Sequence, residues 1–219
     1  KFLLDPILSN GLEKVSAMGY GITPNALSKA EGGMSRYFSQ RFAQVTNPPL
    51  DSLRESDGMT LRVALGAKPT FSEHDSRQLV INSPVLQRAQ LEQIRRQNAV
   101  SHSTLDMLYS PDYDNAENNE NALELALKDA CQQVEKAAQA NTGIIILSDQ
   151  NISQDKAAIP ALLMISAANQ HLTSLGLRFN SSIILETGQA ASPHDIATIL
   201  GFGASAICPL SVHNRAITH

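Results

Sequence analysis

Two carboxylates stand at the ends of apolar runs. Asp149 follows Ile144-Ile145-Ile146-Leu147-Ser148, and Glu186 follows Ser182-Ile183-Ile184-Leu185. Ligands of parallel sheets and barrels collect at the carboxyl ends of the strands, where an acid and a base can share a proton transfer. The same residues can instead cap the loops that follow, or pair with a charge on a neighbouring domain. No lysine, nucleophile or metal triad sits at a matching strand end to complete a reaction site. Cys131 and Cys208 belong to no Cys-x-x-Cys pair, so alone they build neither a zinc site nor an iron–sulfur cluster. They read as small buried hydrophobes, one on a helix face and one at a strand end, and such usage fits a cytoplasmic compartment. His171 and His194 form no His-x-x-x-His or His-Glu-x-x-His arrangement. Gly201-Phe202-Gly203 follows a helix, the wrong context for a dinucleotide loop, and neither a Gly-x-Ser-x-Gly elbow nor a Walker loop occurs. Asp112, Asp114, Glu117 and Glu120 lack the spacing and central glycine of a calcium loop and read as a solvated acidic face.

A different stretch offers polar groups on stiff backbone. In Arg36 to Glu55, Tyr37, Phe38 and Phe42 precede Gln44-Val45-Thr46-Asn47-Pro48-Pro49. Helical spacing would place Phe38 and Phe42 on one face. Asn47 precedes a proline and is biased to extended backbone, and Pro48 and Pro49 fix their own φ and donate no hydrogen bond. Asp51 or Ser52 can cap a new helix, with Ser52 and Glu55 in capping-box register. The expected product is a rigid helix-to-helix corner presenting Gln44, Thr46 and Asn47. It can be a plain turn, or a preorganised loop facing a ligand, a channel or another domain.

The elements that position these groups are read from periodicity. Residues Phe2 to Ala30 carry short apolar patches broken by Gly11, Gly19, Gly21 and Pro24, the pattern of short helices and loops. Ser52 to Leu65 reads as a helix closed by Gly66, with Gly58 costing it about 1 kcal/mol relative to alanine. Leu79-Val80-Ile81 predicts a strand, and Ser83-Pro84 predicts a helix start running to Arg95 or Arg96. His102 to Leu108 predicts a strand, and the polar Ser110 to Asn121 a loop turning helical near Asn121. From there Leu123, Leu127, Ala130, Val134, Ala137 and Ala138 recur at helical spacing to Asn141. Gly143 to Asp149 predicts a strand covered on both faces, followed by an apolar helix over Ile159 to Leu175. Ser182 to Gly188 predicts a strand, Ser192-Pro193 to Gly201 a helix, and Ala204 to Pro209 a strand. Alternation of this kind predicts an α/β fold: a parallel sheet with right-handed βαβ crossovers, Rossmann-like or partial-barrel, plus an N-terminal helical extension. Residues 1–66 read as that N-terminal connecting segment and 67–219 as the parallel core, together one domain.

Composition narrows the class further. Hydrophobic residues make up 42% and charged ones 17% of the 219 residues, enough for a sizeable core. The net charge of -4 and a pI near 5.8, with no basic cluster interleaved with aromatics, argue against a nucleic-acid partner. The longest apolar run, around Ile159 to Ala168, is too short to span a membrane. No signal-peptide pattern opens the chain, and a start at Lys1 suggests an excised or processed fragment.

Phe42-Ala43-Gln44-Val45-Thr46-Asn47-Pro48-Pro49, followed by Asp51, Arg54 and Glu55, closely resembles a signature of the central domain of the glutamate synthase large subunit. Ile144 to Asp149, Ile159-Pro160-Ala161-Leu162-Leu163, His171-Leu172, Glu186-Thr187-Gly188 and Gly201-Phe202-Gly203-Ala204 follow in the order of that domain, so the resemblance spans nearly the whole chain. Departures include Gln150 for a usual arginine, Ala168-Asn169-Gln170 within a histidine-rich stretch, Gln189 and Asp195 for glutamate and histidine, and Cys208-Pro209-Leu210-Ser211 at the end. The resemblance implies a non-catalytic domain between a glutamine amidotransferase domain and an FMN-binding barrel of one polypeptide. The intact enzyme would make two glutamates from glutamine and 2-oxoglutarate, passing ammonia through an internal tunnel. FMN and an iron–sulfur cluster are implied for that enzyme, with no cofactor or catalytic residue in this segment. Gln44, Thr46, Asn47, Asp51 and Arg54 are the implied tunnel or interdomain candidates. The alternative is a stand-alone small α/β enzyme, lyase-like, using Asp149 and Glu186.

Overall fold

The computed structural model describes residues 4–12, 33–39, 45–46, 49–69 and 77–218. Its centre is a four-stranded parallel sheet in which β3 (His102–Asp106), β5 (Ile144–Ser148), β7 (Ser182–Thr187) and β8 (Ala206–Pro209) lie side by side in chain order. β5 and β7 are buried along their whole length, which explains why both read as continuous apolar runs rather than as alternation. Burying each Ile or Leu of these strands contributes roughly 1.5–3 kcal/mol.

The helices that connect these strands are α4 (Ala116–Gln139), α5 (Ala161–Ser174) and α6 (Pro193–Gly201). All three pack on one face of the sheet, against Ile145, Leu147, Ile183, Leu185 and Ile207. The opposite face, carrying Ile144, Ile146, Ile184, Ala206 and Cys208, is covered by Leu91 and Ile94 of α3 (Arg88–Arg96), Leu210 of α7 (Leu210–Thr218) and Leu65 of β1 (Val63–Leu65). A doubly wound sheet splits its crossovers between both faces and has a point where strand order reverses. Here the three crossovers between the four strands share one face while α3 and α7 cover the other, an arrangement consistent with both expected variants, Rossmann-like and partial-barrel. Two small antiparallel pairs flank it: β1 with β2 (Leu79–Ile81), and β4 (Leu108–Tyr109) with β6 (Ala157–Ala158).

Several local expectations change. The predicted helix over Ser52 to Leu65 stops early: α2 spans Ser52–Gly58, and residues from Val63 pair as β1, so Gly66 follows a strand. Ser83-Pro84 starts no helix. Ile207 of β8 instead donates its N–H to the Pro84 carbonyl at 2.8 Å and accepts the Leu86 N–H at 2.8 Å. Proline is tolerated here because β8 uses only its carbonyl, and the outward N–H, that of Val85, donates to Ser83 Oγ at 3.1 Å; α3 begins only at Arg88. α4 begins at Ala116 rather than near Asn121, because the Asn115 side chain accepts from the Glu117 and Asn118 amides at 3.1 Å and caps it. The helix expected through Phe38 is a 3-10 turn over Met34–Tyr37, with Phe38 extended. Phe42, and the glycine-rich stretch around Gly19 and Gly21, lie outside the described residues. Leu4–Asn10 forms α1, whose Asp5 makes a two-pronged pair with Arg215 of α7 at 2.6 Å for each bond.

The turn from α6 into β8 requires glycine. Gly203 has φ +122°, and a Cβ there would lie 2.5 Å from Asn169 Cγ. Asn169 cannot yield easily, since its Oδ1 accepts from Arg178 Nε at 2.5 Å while the same guanidinium donates to the Ser181 and Gly203 carbonyls. Gly203→Ala is therefore expected to destabilise the domain by about 1–3 kcal/mol from backbone strain alone, measured by urea unfolding. A loss below about 0.5 kcal/mol, the level of an ordinary surface change, would refute that constraint.

Candidate functional site

Side chains alternate across the sheet, and this separates the two strand-end carboxylates. Glu186 turns to the face covered by α3. There its Oε2 accepts from Arg95 Nη2 at 2.7 Å and from Ser148 Oγ at 2.6 Å, and Oε1 accepts from Arg95 Nη1 at 3.3 Å. Asp149 turns to the loop between β7 and α6. Its oxygens accept from Thr187 Oγ1 at 2.6 Å, from the Gly188 N–H at 2.9 and 3.2 Å, and from Gln189 Nε2 at 3.3 Å. Gln189 also joins that loop to the start of α5, donating to the Ile159 carbonyl and accepting the Ala161 N–H. Both carboxylates are almost fully buried, at 3% exposure for Asp149 and 2% for Glu186. The structure thus gives the pair no common face, and gives each carboxylate its own internal partners. Asp149 caps the loop after β7 rather than the one that follows it in the chain, and the ion pair of Glu186 lies inside the domain.

Burial pulls the Arg95 guanidinium toward neutrality, but its hydrogen bonds to Glu186 and Glu92 outweigh that and hold its pKa above the ordinary value. At the end of β8, Cys208 Sγ lies 3.8 Å from His213 Nδ1, a contact the sequence reading missed because α7 was not anticipated. The alternation of Leu210, Val212 and Ile217 with polar residues was its available signal. Despite that neighbour, burial and then the Glu186 charge push the Cys208 thiol up to about 11, and burial followed by Arg88 lowers His213. A nucleophilic cysteine needs the opposite shift. The other thiol, Cys131, is also buried and raised by burial. His171 bonds Glu135 of α4 through Nε2 at 2.8 Å and so ties two helices together.

The corner stretch looks outward. Asp51 caps α2 by accepting from the Leu53 N–H at 3.2 Å and the Arg54 N–H at 3.0 Å, so Asp51 rather than Ser52 is the cap. Arg54 Nη1 reaches Asp51 Oδ2 at 3.2 Å, an exposed pair that adds little stability. Thr46 is exposed, Gln44 and Asn47 lie outside the described residues, and α2 has no buried residue. A separate cleft of about 630 Å³ opens beside β3 and α4, lined by Asp106, Tyr109, Asp129, Gln133 and Lys156 among others. It includes none of the predicted site residues. Among the described residues no group of three His, Cys, Asp or Glu side chains is placed to hold a metal.

Fold and site together define a one-sidedly wound parallel α/β domain with internally satisfied strand ends and an exposed, capped corner. The chain belongs to the glutamate synthase central domain family, whose sequence model, described as "Glutamate synthase central domain", matches residues 1–218. It is 37% identical over 212 residues to a ferredoxin-dependent glutamate synthase of Cyanidium caldarium, covering 95% of this chain and 14% of the relative. It is 35% identical over 214 residues to the glutamate synthase [NADPH] large chain of Bacillus subtilis, covering 95% of this chain and 13% of the relative. The chloroplastic ferredoxin-dependent glutamate synthase of Oryza sativa is 34% identical over 214 residues, with the same 95% and 13% coverage. The chain therefore spans 13–14% of the length of these relatives.

Two outcomes follow from the strand ends. Arg95→Ala leaves a buried carboxylate without its cation and is expected to cost about 3–5 kcal/mol. Arg95→Ala combined with Glu186→Gln should recover part of that loss in urea melts, whereas simple additivity would deny the coupling. The second concerns pH. The folded Cys208 thiol releases its proton later than the unfolded one, so its contribution is complete below a pH of 9.0 and is lost as pH rises toward about 11. Cys208→Ala should flatten the alkaline fall in stability by about 3 kcal/mol; an unchanged slope would overturn this.

Proposed function

We propose that this domain links the glutamine amidotransferase and FMN-binding domains of a glutamate synthase large chain and forms part of the wall of an ammonia passage between them. One observation carries the reading. Every described residue from Arg36 to Arg62 is exposed; Asp51 caps α2, and Val45, Leu50, Leu53, Met59 and Leu61 stand on the surface. Polar and apolar side chains displayed together on capped backbone suit contact with neighbouring domains. Thr46 offers a hydroxyl that can exchange hydrogen bonds with a small polar molecule, and Gln44 and Asn47 extend the same polar run. Asp51 and Arg54 serve the adjoining interdomain contact.

In this reading the intact enzyme makes two glutamates from glutamine and 2-oxoglutarate, and both its FMN and its iron–sulfur cluster lie in other parts of the polypeptide. The described strand-end residues do not fit either group. The Gly188 amide that could face a flavin phosphate already donates to Asp149, and a buried carboxylate at that point repels an anion. Two cysteines cannot supply a cluster's thiolates, and Cys208 is held as a thiol. A cytoplasmic setting is kept in the proposal on the basis of two free, buried thiols.

The test is Thr46→Leu in the full-length enzyme. Loss of one hydrogen-bond partner, about 1 kcal/mol, slows passage roughly fivefold, so glutamine hydrolysis should outrun glutamate formation while each half-reaction, assayed separately, persists. Unchanged stoichiometry would remove Thr46 from the passage.

A further inference from the structure

The two edges of the parallel sheet are finished differently. At β8 the outer side is taken by Pro84 to Leu86, through the Pro84 carbonyl and the Leu86 N–H. At β3 no described residue plays that part: among the described residues, β5 is the only strand paired with it. The Ser101 carbonyl accepts the Ile144 N–H, and the Met107 N–H donates to the Ser148 carbonyl, each at 2.9 Å. A parallel ladder uses alternate residues of a strand, so residues 101, 103, 105 and 107 face β5. The N–H and carbonyl groups of His102, Thr104 and Asp106 therefore point away from the sheet, and no described residue bonds them.

β3 does little to guard this edge. Exposed edges are commonly protected by charges, proline or a bulge. The strand has neither proline nor bulge, its register with β5 is unbroken, and its only acidic or basic charge at neutral pH is Asp106 at the last position. Thr104 and Asp106 are exposed. The same two residues line the cleft of about 630 Å³ beside α4, so edge and cleft form one continuous surface. Two carboxylates stand in that cleft with neutral amides as partners. Asn151 Nδ2 donates to Asp106 Oδ1 at 3.0 Å, and Gln133 Nε2 donates to Asp129 Oδ2 at 2.6 Å. Neither carboxylate has an ion pair among the described residues. Lys156 is the one cation in the lining, which leaves the cleft acidic.

We propose that the outer edge of β3 receives an extended segment from another part of a larger polypeptide. That segment pairs with His102 to Asp106 and places a basic side chain in the cleft against Asp106 and Asp129. In strand addition of this kind, main-chain bonds give affinity and a side-chain pocket gives selectivity. The size of the relatives supports a donor in the same chain: the match covers 14% of the Cyanidium caldarium relative, and a tethered segment acts at high effective concentration. Like-charge repulsion excludes an acidic segment. The inference does not depend on the role proposed for Thr46.

Hydrogen exchange of the full-length enzyme, read at single-residue resolution, tests it. The ladder with β5 protects the Ser103 and Leu105 amides in every case, so the outward amides of Thr104 and Asp106 are diagnostic. With an added strand they should exchange roughly tenfold or more slowly than exposed, unbonded amides. Exchange at the unbonded rate would overturn the inference. Asp106→Asn combined with Asp129→Asn keeps the backbone and removes both charges, and should speed exchange at Thr104 roughly tenfold. Unchanged protection in that variant would deny the basic side chain and overturn the inference as stated. Thr104→Pro removes an outward donor without touching the β5 ladder. It should release the Asp106 amide while Ser103 and Leu105 stay slow and show that β3 persists; an Asp106 amide still protected beside them would refute strand addition. Protection that fades on dilution would assign the edge to a second copy and overturn the same-chain donor. None of these readouts is a coupling ratio, so their failure leaves the reading of Thr46 untouched.

Discussion

The structure depends on one constraint: its central strands are buried on both faces, so any polar group at their ends must be satisfied from inside. Carboxylates placed there face a desolvation cost of several kcal/mol unless hydrogen bonds or an opposite charge offset it. Glu186 meets this condition with Arg95 and Ser148, and Asp149 with Thr187, Gly188 and Gln189. The second set also shapes the loop from which α6 starts. Local electrostatics at the strand ends and the orientation of a helix on the far side of that loop are therefore one problem with one solution.

That solution bears on function by subtraction. Strand ends of a parallel sheet are where chemistry is usually found; at β5 and β7 the Asp149 and Glu186 carboxylates serve the fold, while Asp106 at the end of β3 lines the cleft beside α4. The described residues between Arg36 and Arg62 display a capped turn, exposed aliphatic side chains and a threonine.

Much of this was legible in the residues. The apolar runs at Ile144 to Ser148 and Ser182 to Thr187 admit few readings besides covered strands, and Ser192-Pro193 announces α6 with the expected cap. Where expectation failed, long-range contacts outweighed local signals. Ser83-Pro84 has good helix-start chemistry, but the bonds of Ile207 hold it extended. Val63 to Leu65 continues a helical pattern on paper, yet Leu65 is fully buried against the sheet and its strand pairs with β2. Asn115 was overlooked because the turn it caps carries almost no apolar residues. At the site, Asp149 and Glu186 were visible as carboxylates but their partners were not. Arg95 lies 91 residues from Glu186, and nothing in local sequence links them.

Pro84 has a further consequence. A sheet edge is a template on which a foreign strand can assemble, and large polypeptides run this risk while parts of them are still unfolded. At the β8 edge the template is already occupied by Pro84 to Leu86, and the outward Val85 N–H is taken up by Ser83 Oγ at 3.1 Å. A strand arriving on that side meets a three-residue segment whose outward donor is already used. The relatives that this chain matches are about seven times its length, and in polypeptides of that size an occupied edge disfavours pairing with a wrong strand.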